Sequence, residues 1–473
     1  MEIDRASAAL FGSRALTEAI GFVSVIYFAR ELGAAGLGIY FTFTTVVRVF
    51  GLFSKFGVPG AVVKRVSQSD SARQQGAYLT GGFALAGTSF ALVVALAVVF
   101  EARLVAYTDL GAVLPLLALV LAASIGRGLA IAALRGERRV RMTAPIEFLD
   151  QIVYVGMSVV LLDQGVGVLS LIYGTVAGSL LAAALAALLS DVRFARPTRT
   201  DITHLFGFSK YTAGMNVSNL AYNWADTLVL AAFATKSVIG VYEVTWKLSA
   251  VTLLAAQVIG ISLAPTVTGW HEAGELERIE AAFTQAVTYA LALVVPGLVG
   301  VIVVGEEILR ALYGYETGAV VLIILMAGQF AQAIKNVTQN TLFGIDRPEK
   351  VFWTNALTLG ANVGLNLLLV PRHGMVGAAA ATLSTAGIAA GSQLFFLRRH
   401  LSLTVDWQAL GWQCGLALAM GAVLLFLSRT VRPRTATGVV GLVALGAAIY
   451  GAGILANSEI RARLLAVTPF GSS

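Results

Sequence analysis

The sequence predicts an all-α polytopic membrane protein of about fourteen transmembrane helices: two pseudo-symmetric six-helix bundles plus two C-terminal helices. Three observations predict it. The chain is 57% hydrophobic and only 12% charged, with a mean hydropathy of +0.81, whereas soluble domains average about 25% charged residues. Apolar stretches of about 20 residues recur along the 473 residues, each long enough to cross the roughly 30 Å hydrocarbon core. Short motifs from the first half return in the same order in the second.

Hydropathy and breaker residues place the helices at 9–29, 37–58, 78–100, 112–133, 144–162, 167–189, 209–232, 239–263, 283–303, 318–341, 350–370, 375–397, 407–428 and 437–455. The N-terminal MEIDRASAAL lacks the basic-then-apolar layout and small-residue cleavage site of a signal peptide, so the first helix is expected to be retained. No predicted extramembrane segment exceeds about 20 residues, which leaves no room for a soluble catalytic or nucleotide-binding domain. No GxxxxGK[ST], HExxH or GxSxG motif occurs.

The repeat is carried by three pairs. LGAAGLGIY (32–40) resembles ATKSVIGVY (234–242), with Gly38 and Tyr40 matching Gly240 and Tyr242. LRGERR (134–139) resembles LFGIDR (342–347), and LLDQGVG (161–167) resembles LLVPRHGMVG (368–377) with a small insertion. The pairs fall around helices 2/8, 4–5/10–11 and 5–6/11–12, so the unit is six helices used twice. An even-numbered unit repeats with the same membrane orientation. The predicted lobes are 1–200 and 201–400, with 401–473 adding two helices and a short cytoplasmic tail.

Loop cations set the orientation. Lys64, Arg65, Arg73, Arg135, Arg138, Arg139, Arg141, Arg193, Arg196, Arg199, Arg347, Lys350, Arg398 and Arg399 fall on one side. The opposite side holds fewer, although Arg429, Arg432 and Arg434 cluster there against the rule. Both termini are therefore predicted cytoplasmic. Scattered loop cations account for the net charge of +7 better than nucleic-acid binding does. Cys414 is the only cysteine, so no disulfide framework or thiolate metal cluster is expected. His204, His271, His373 and His400 show no metal-ligand spacing.

Polar residues at helical spacing indicate which faces line a cavity between the lobes. Helix 2 carries Thr44 or Thr45, Arg48 and Lys55 on one face, since seven residues make nearly two turns. A cation at the centre of a membrane helix costs roughly 2.5–3.5 kcal/mol on insertion scales. Arg48 sits near mid-helix with no acid at i±3 or i±4, so an anion or a watery cavity must satisfy it. Lys55 has a second reading, snorkelling at the cytoplasmic interface. Arg127, Glu147 and Asp150 lie near predicted cytoplasmic ends and read as interfacial as readily as substrate-facing. Arg14–Glu18 and Glu243–Lys247 are i,i+4 pairs that either face a cavity or only stabilise their helices. Asn216, Asn219, Asn223 and Asp226 mark helix 7, while Gln329, Gln332, Lys335, Asn336, Gln339 and Asn340 mark helix 10. Asn355, Asn362 and Asn366 mark helix 11. Such amide stripes serve interhelical hydrogen bonding or a cavity lining equally well. Arg14, Arg48, Lys55, Arg127, Lys247 and Lys335 form a cationic path at several depths. It suits a phosphate- or pyrophosphate-bearing substrate, and the amides suit sugar hydroxyls.

These residues also carry a resemblance. ARELGAAGLGIYFTFTTVVRVFGLFSKFGVPGAVVKRV (29–66) resembles the opening of the prokaryotic polysaccharide-transporter family. The segment SKYTAGMNVSNLAYNWADTLVLAAFATKSVIGVYEVTWKL (209–248), with Trp224, Asp226, Gly240 and Tyr242, resembles its central segment. Residues 311–348 and 365–384, with Pro371, Gly374, Gly377 and Ala378, resemble its second-half signatures. The family belongs to the multidrug-oligosaccharidyl-lipid-polysaccharide exporter superfamily, alongside multidrug/toxin extrusion (MATE) antiporters and the lipid II flippase. The resemblance implies a MATE-like fold and a flippase, not an enzyme, in the plasma membrane of a prokaryote. Its substrate would be an isoprenoid (pyro)phosphate-linked oligosaccharide, moved from the cytoplasmic to the outer leaflet by alternating access. Arg14, Arg48 and Lys247 are the preferred head-group contacts, on depth and spacing. The acids Glu18, Asp226 and Glu243 depart from a purely cationic cavity and raise the prospect of a coupling Na⁺ or H⁺. No other cofactor or metal is expected, and a monomer is the default. The alternatives are a cation-coupled multidrug antiporter of the same fold, with fewer unpaired cavity cations, and a membrane glycosyltransferase or polymerase, which the short loops disfavour.

Overall fold

The structure, a computed structural model, describes the backbone of residues 2–431 and 435–456, and their side chains except at 2–15, 18 and 214–224. Among the described residues every regular element is helical. The chain divides into two compact units, Met1–Gly240 and Val241–Ser473. The first contains α1 (Glu2–Lys55), α2 (Val58–Ser67), α3 (Ala72–Val99), α4 (Glu101–Thr108), α5 (Val113–Gly136), α6 (Thr143–Asp163), α7 (Leu169–Leu189), α8 (Arg199–Phe233) and the opening of α9 (Lys236–Ala250). The second contains the rest of α9, then α10 (Leu254–Glu272), α11 (Leu276–Ala290), α12 (Val294–Ile308), α13 (Ala319–Gly344), α14 (Pro348–Leu397), α15 (Trp407–Val431) and α16 (Ala436–Ala456).

Eleven helical stretches among the described residues are long and apolar enough to cross a membrane. Two of them, Ala19–Lys55 and Pro348–Leu397, each contain one non-helical glycine. Gly33 has φ 66° and ψ −179°, and Gly374 has φ 55° and ψ −133°, conformations that a side chain disfavours. α8 is not among the eleven. Fourteen crossings are compatible with this arrangement. The gap expected at 30–36, between the first two predicted helices, is therefore compressed into a break at a single residue, Gly33.

Three local differences from the expected spans have physical causes. α8 starts at Arg199 rather than near 209, because Thr198 and Asp201 form a capping box that satisfies the first-turn N–H groups. The basic stretch after Lys55 is helical. Phe56 (φ 42°) and Gly57 (φ 69°) turn the chain, and Pro59 at the helix start pre-sets φ. α2 then buries Val58, Ala61, Val62 and Val66. α4 is a short helix absent from the prediction, since eight residues fall below any hydropathy window.

Among the described residues of the first unit, one apolar cluster joins α5, α6 and α7, and two others hold α1, α2, α3 and α8 to α5 and α7. Of these two, one joins Phe43 and Val46 of α1 with Val93 and Ala97 of α3, Leu117 and Leu121 of α5, and Ile172 of α7. The other joins Val62 and Val66 of α2 with Tyr78 and Leu79 of α3, Leu129 and Ala133 of α5, and Leu205 of α8. Tyr107 of α4 donates to the carbonyl of Leu228 at 2.9 Å, and burial pushes its phenol up to about 12, so it is held as a neutral donor. A close contact ties α1 to α9 inside this unit. A Cβ on Gly38 would lie 1.7 Å from the Lys236 carbonyl oxygen, and one on Gly240 would lie 2.0 Å from that of Ala34.

The repeat seen in sequence is also a repeat of geometry. After α5, the N–H groups of Arg138 and Arg139 donate to the carbonyls of Arg135 and Leu134. After α13, those of Asp346 and Arg347 donate to Phe343 and Leu342. Arg138 (φ 62°) and Asp346 (φ 56°) occupy the left-handed region at the same place in the turn. The helix-end glycines match as well. A Cβ on Gly136 would lie 2.6 Å from Val66 Cβ, and one on Gly344 would lie 2.5 Å from Val267 Cγ1.

Candidate functional site

Arg48 lies two-thirds of the way from the Gly33 break to the end of α1, and it is exposed. Thr45, one of its two expected partners on that face, is fully buried and donates to the Phe41 carbonyl at 2.8 Å. Thr44 is half-buried and also donates to Phe41 O, at 2.9 Å. Thr44, one turn before Arg48, is thus the threonine on the open side.

Lys55 ends α1 half-buried, within electrostatic reach of both Arg127 of α5 and Arg48. The structure therefore gathers three of the six predicted cations into one neighbourhood, drawn from two helices. Arg127 pairs with Asp150 of α6 at 2.8 Å, with side chains 36% and 16% exposed. Eight residues further along α5, Arg135 pairs with Glu147 at 2.8 Å. These two rungs hold α5 against α6. Asp150 fits because α7 offers Gly178 opposite, where a Cβ would stand 2.4 Å from Asp150 Oδ1. Neither Gly178 nor the Arg127–Asp150 pairing was visible in the sequence, since the partners lie on different helices and leave no i,i+4 signature. Further along α6, the hydroxyls of Tyr154 and Tyr40 meet at 3.3 Å. Asp150 thereby gains a partner on another helix, and the hydroxyl pair of Tyr40 and Tyr154 joins the candidate residues.

The predicted polar residues of the second unit are largely drawn into the protein. Glu243 is 3% exposed and Lys335 is 7% exposed, while Lys247, Gln332 and Asn336 are half-buried. Gln329 donates to Ser249 Oγ at 2.9 Å, joining α13 to α9. Asn340 donates to Asn336 Oδ1 at 3.1 Å, and Gly260 of α10 leaves room for that amide, since its Cβ would lie 2.4 Å from the same oxygen. On α14, Asn366 donates to Asn362 Oδ1 at 3.2 Å, and Asn362 donates to Thr385 Oγ1 at 3.4 Å. The Asn362–Thr385 bond crosses the Gly374 break within α14. Asp226 of α8, in the first unit, is half-buried. Arg14, Glu18, Asn216, Asn219 and Asn223 lie outside the described side chains. Among the described residues no cluster of His, Cys, Asp and Glu could hold a metal ion.

Chemically, the first unit offers a cationic neighbourhood at more than one depth of α1, partly offset by one carboxylate. This arrangement can hold an anion through cations that range from exposed (Arg48) to half-buried (Lys55). It has no paired acid and base around a nucleophile.

Two relatives from Haloferax volcanii match nearly end to end. The "Probable low-salt glycan biosynthesis flippase Agl15" is 28% identical over 95% of this chain and 94% of its own. The "Probable flippase AglR" is 29% identical over 98% of both. Among solved structures, the lipid II flippase MurJ in an inward closed conformation superposes with a TM-score of 0.75 at 16% identity, over 97% of this chain and all of that one. An inward-facing MATE multidrug transporter superposes with a TM-score of 0.60 at 15% identity, over 81% of this chain and 94% of that one. At those identities the likeness is one of fold, and the fold is the MurJ/MATE one. Residues 27–342, well over half of the chain, match the model of a family described as "Polysaccharide biosynthesis protein", and the chain belongs to that family.

Proposed function

We propose that this protein is a flippase. It moves an oligosaccharide linked to an isoprenoid phosphate or pyrophosphate from the cytoplasmic to the outer leaflet by alternating access, for cell-surface polysaccharide or glycoprotein assembly. The observation that carries the reading is the grouping of Arg48, Lys55 and Arg127 in a membrane-spanning unit. Like charges kept together repel one another, and an anionic head group relieves that repulsion as it passes. The names of the two Haloferax relatives support transport of a glycan-bearing lipid over catalysis.

The finer parts of the reading go with it. The protein resides in a prokaryotic plasma membrane with both termini cytoplasmic, acts as a monomer, and contacts membrane lipid and no nucleic acid. Asp226 and Glu243, together with Glu18, are the candidates for binding a coupling Na⁺ or H⁺. A cation-coupled drug antiporter is the second reading, favoured by the MATE-like fold. It expects efflux of a fluorescent cationic drug from expressing cells.

The test is direct. Deleting the protein should leave the lipid-linked glycan on the cytoplasmic leaflet and lower surface glycan. Arg48→Ala should cut flipping by roughly 10- to 100-fold, the worth of one or two hydrogen bonds to a charged group, and Arg48→Glu should abolish it. Unchanged surface glycan and unchanged lipid-linked intermediates in both variants would remove Arg48 from the mechanism.

A further inference from the structure

Residues 190–198 link α7 to α8 and carry Arg193 and Arg196, with Arg199 opening the next helix. A linker of this kind between apolar helices needs no fixed shape, yet this one is held at every second or third residue. Arg139 donates to the Leu189 carbonyl at 2.8 Å and pairs with Asp191. The Asp191 N–H donates to Glu137 at 2.8 Å. Val192 is buried in the apolar cluster beneath. The N–H of Ala195 donates to Thr80 Oγ1 of α3 at 3.3 Å. The Arg193 carbonyl lies against Gly76, where a Cβ would stand 1.9 Å away, and Thr198 closes the capping box with Asp201. The segment is a strap laid along the start of α3.

Two features of the strap point outward. The first is charge. The nearby acids are already used, Asp191 on Arg139 and the Asp201 carboxylate on the Thr198 N–H and hydroxyl, whereas Arg193, Arg196 and Arg199 are exposed. These three form no ion pair among the described residues. Arg73, also exposed, begins the helix against which the strap lies. The second is depth. Leu188 is 81% exposed and Phe194 is 70% exposed, so bare apolar surface runs up to the strap and reappears within it beside the guanidiniums. Phe194 is steadied by Phe83 of α3, 5.7 Å away between ring centres. Apolar surface that ends in arginines with an aromatic ring among them matches the boundary between acyl chains and head groups. Cations that only set topology need to lie on the right side; they need no pinned backbone.

We propose that this strap is a binding site for the phosphate of anionic membrane lipids. Arg193, Arg196 and Arg199 take the phosphate through charge-assisted, bidentate hydrogen bonds, and Phe194 rests at the level of the glycerol and upper acyl chain. The site is independent of what the protein carries, and none of its residues belongs to the Arg48–Lys55–Arg127 group.

The experiment uses the full chain, purified and reconstituted in nanodiscs that mix phosphatidylglycerol with phosphatidylcholine. The readout is the anionic lipid retained through delipidation and the thermal midpoint in each lipid. Wild type should prefer phosphatidylglycerol, and R193Q/R196Q/R199Q should lose that preference by roughly 100-fold, three juxtamembrane cations' worth. Thr80→Val keeps every charge but removes the acceptor for the Ala195 N–H, and it should weaken retention several-fold. The triple Arg→Lys variant, which keeps charge and loses the bidentate fork, should fall between. Three results would overturn the proposal. The Gln variant could keep the preference. Thr80→Val and the Lys variant could both match wild type, which would mean diffuse surface attraction. Isoprenyl pyrophosphate or inorganic pyrophosphate could bind the strap with no preference for phosphatidylglycerol, which would reassign it to the cargo or to a soluble anion.

Discussion

Asp150 shows how much a single residue's role depends on its neighbours. Its carboxylate neutralises Arg127 at 2.8 Å and so lowers the positive charge that Lys55 and Arg48 share with it. Asp150→Asn should therefore increase net attraction for a pyrophosphate head group and slow its release. Its stability cost should stay below about 1 kcal/mol, because Arg127 is a third exposed and the pair is screened. Equilibrium binding of a short-chain isoprenyl pyrophosphate, compared with turnover, separates the two effects: tighter binding with slower transport is expected, and weaker binding would contradict it. Gly178→Ala attacks the same pair from the opposite helix. A methyl there would lie 2.4 Å from Asp150 Oδ1 and 2.6 Å from the Asp150 backbone carbonyl oxygen. It must therefore shift α6 as well as the carboxylate, at a cost of about 1–3 kcal/mol or more for overpacking, readable as a fall in thermal midpoint. Arg48 could be singled out in the sequence because an arginine in the middle of an apolar helix has few explanations. Asp150 was legible only as a helix-end acid, because what gives it a role is a partner on another helix.

Elements were legible to the extent that their signals are local. Hydropathy located the long helices, but it missed α2 and α4, whose burial depends on neighbours rather than length. It also placed the start of α8 about ten residues late by overlooking Thr198 and Asp201, a cap whose spacing was readable. Thr198→Ala should cost about 1 kcal/mol of stability and loosen the strap that precedes it. A larger effect is expected where helices touch backbone to backbone. Gly38 and Gly240 belong to the two copies of the GxY motif, and each meets the other's helix at a carbonyl oxygen, at 1.7 and 2.0 Å from a notional Cβ. Backbone cannot swing aside as a side chain can, so Gly38→Ala or Gly240→Ala should destabilise by more than about 3 kcal/mol. Denaturation in detergent would show it, and a wild-type midpoint in either variant would refute the contact. In sequence these glycines are matched positions of the repeat; the structure gives them a steric reason.

At the scale of the whole molecule, the repeat links sequence to architecture. The turns after α5 and α13 share their hydrogen bonds and their left-handed residue. Duplicated sequence thus folded twice by the same local rules. The compact units nevertheless divide at Gly240, while the motif repeat divides near 200, because α8 packs on α1, α2 and α3. Orientation is a prediction at this scale. With an even number of crossings and the cation-rich loops inside, reporters fused at either terminus should both read cytoplasmic. A split result would show an odd number of crossings. The basic group at 429–434 makes the last helices the place to look for it.

Composition, hydropathy and motif order were enough to establish a polytopic helical membrane protein built on a repeat, and to single out Arg48 within an apolar segment. Those properties depend on what each segment is made of, and a membrane segment must satisfy its own backbone wherever it sits. The grouping of Arg48 and Lys55 with Arg127, the use of Asp150, the glycine contacts and the pinned strap are of another kind. Each joins residues distant along the chain and exists only once helices have packed at close range. Periodicity assigns a side chain to a face, but which neighbour meets that face is settled by close packing, where a single methyl group decides what fits.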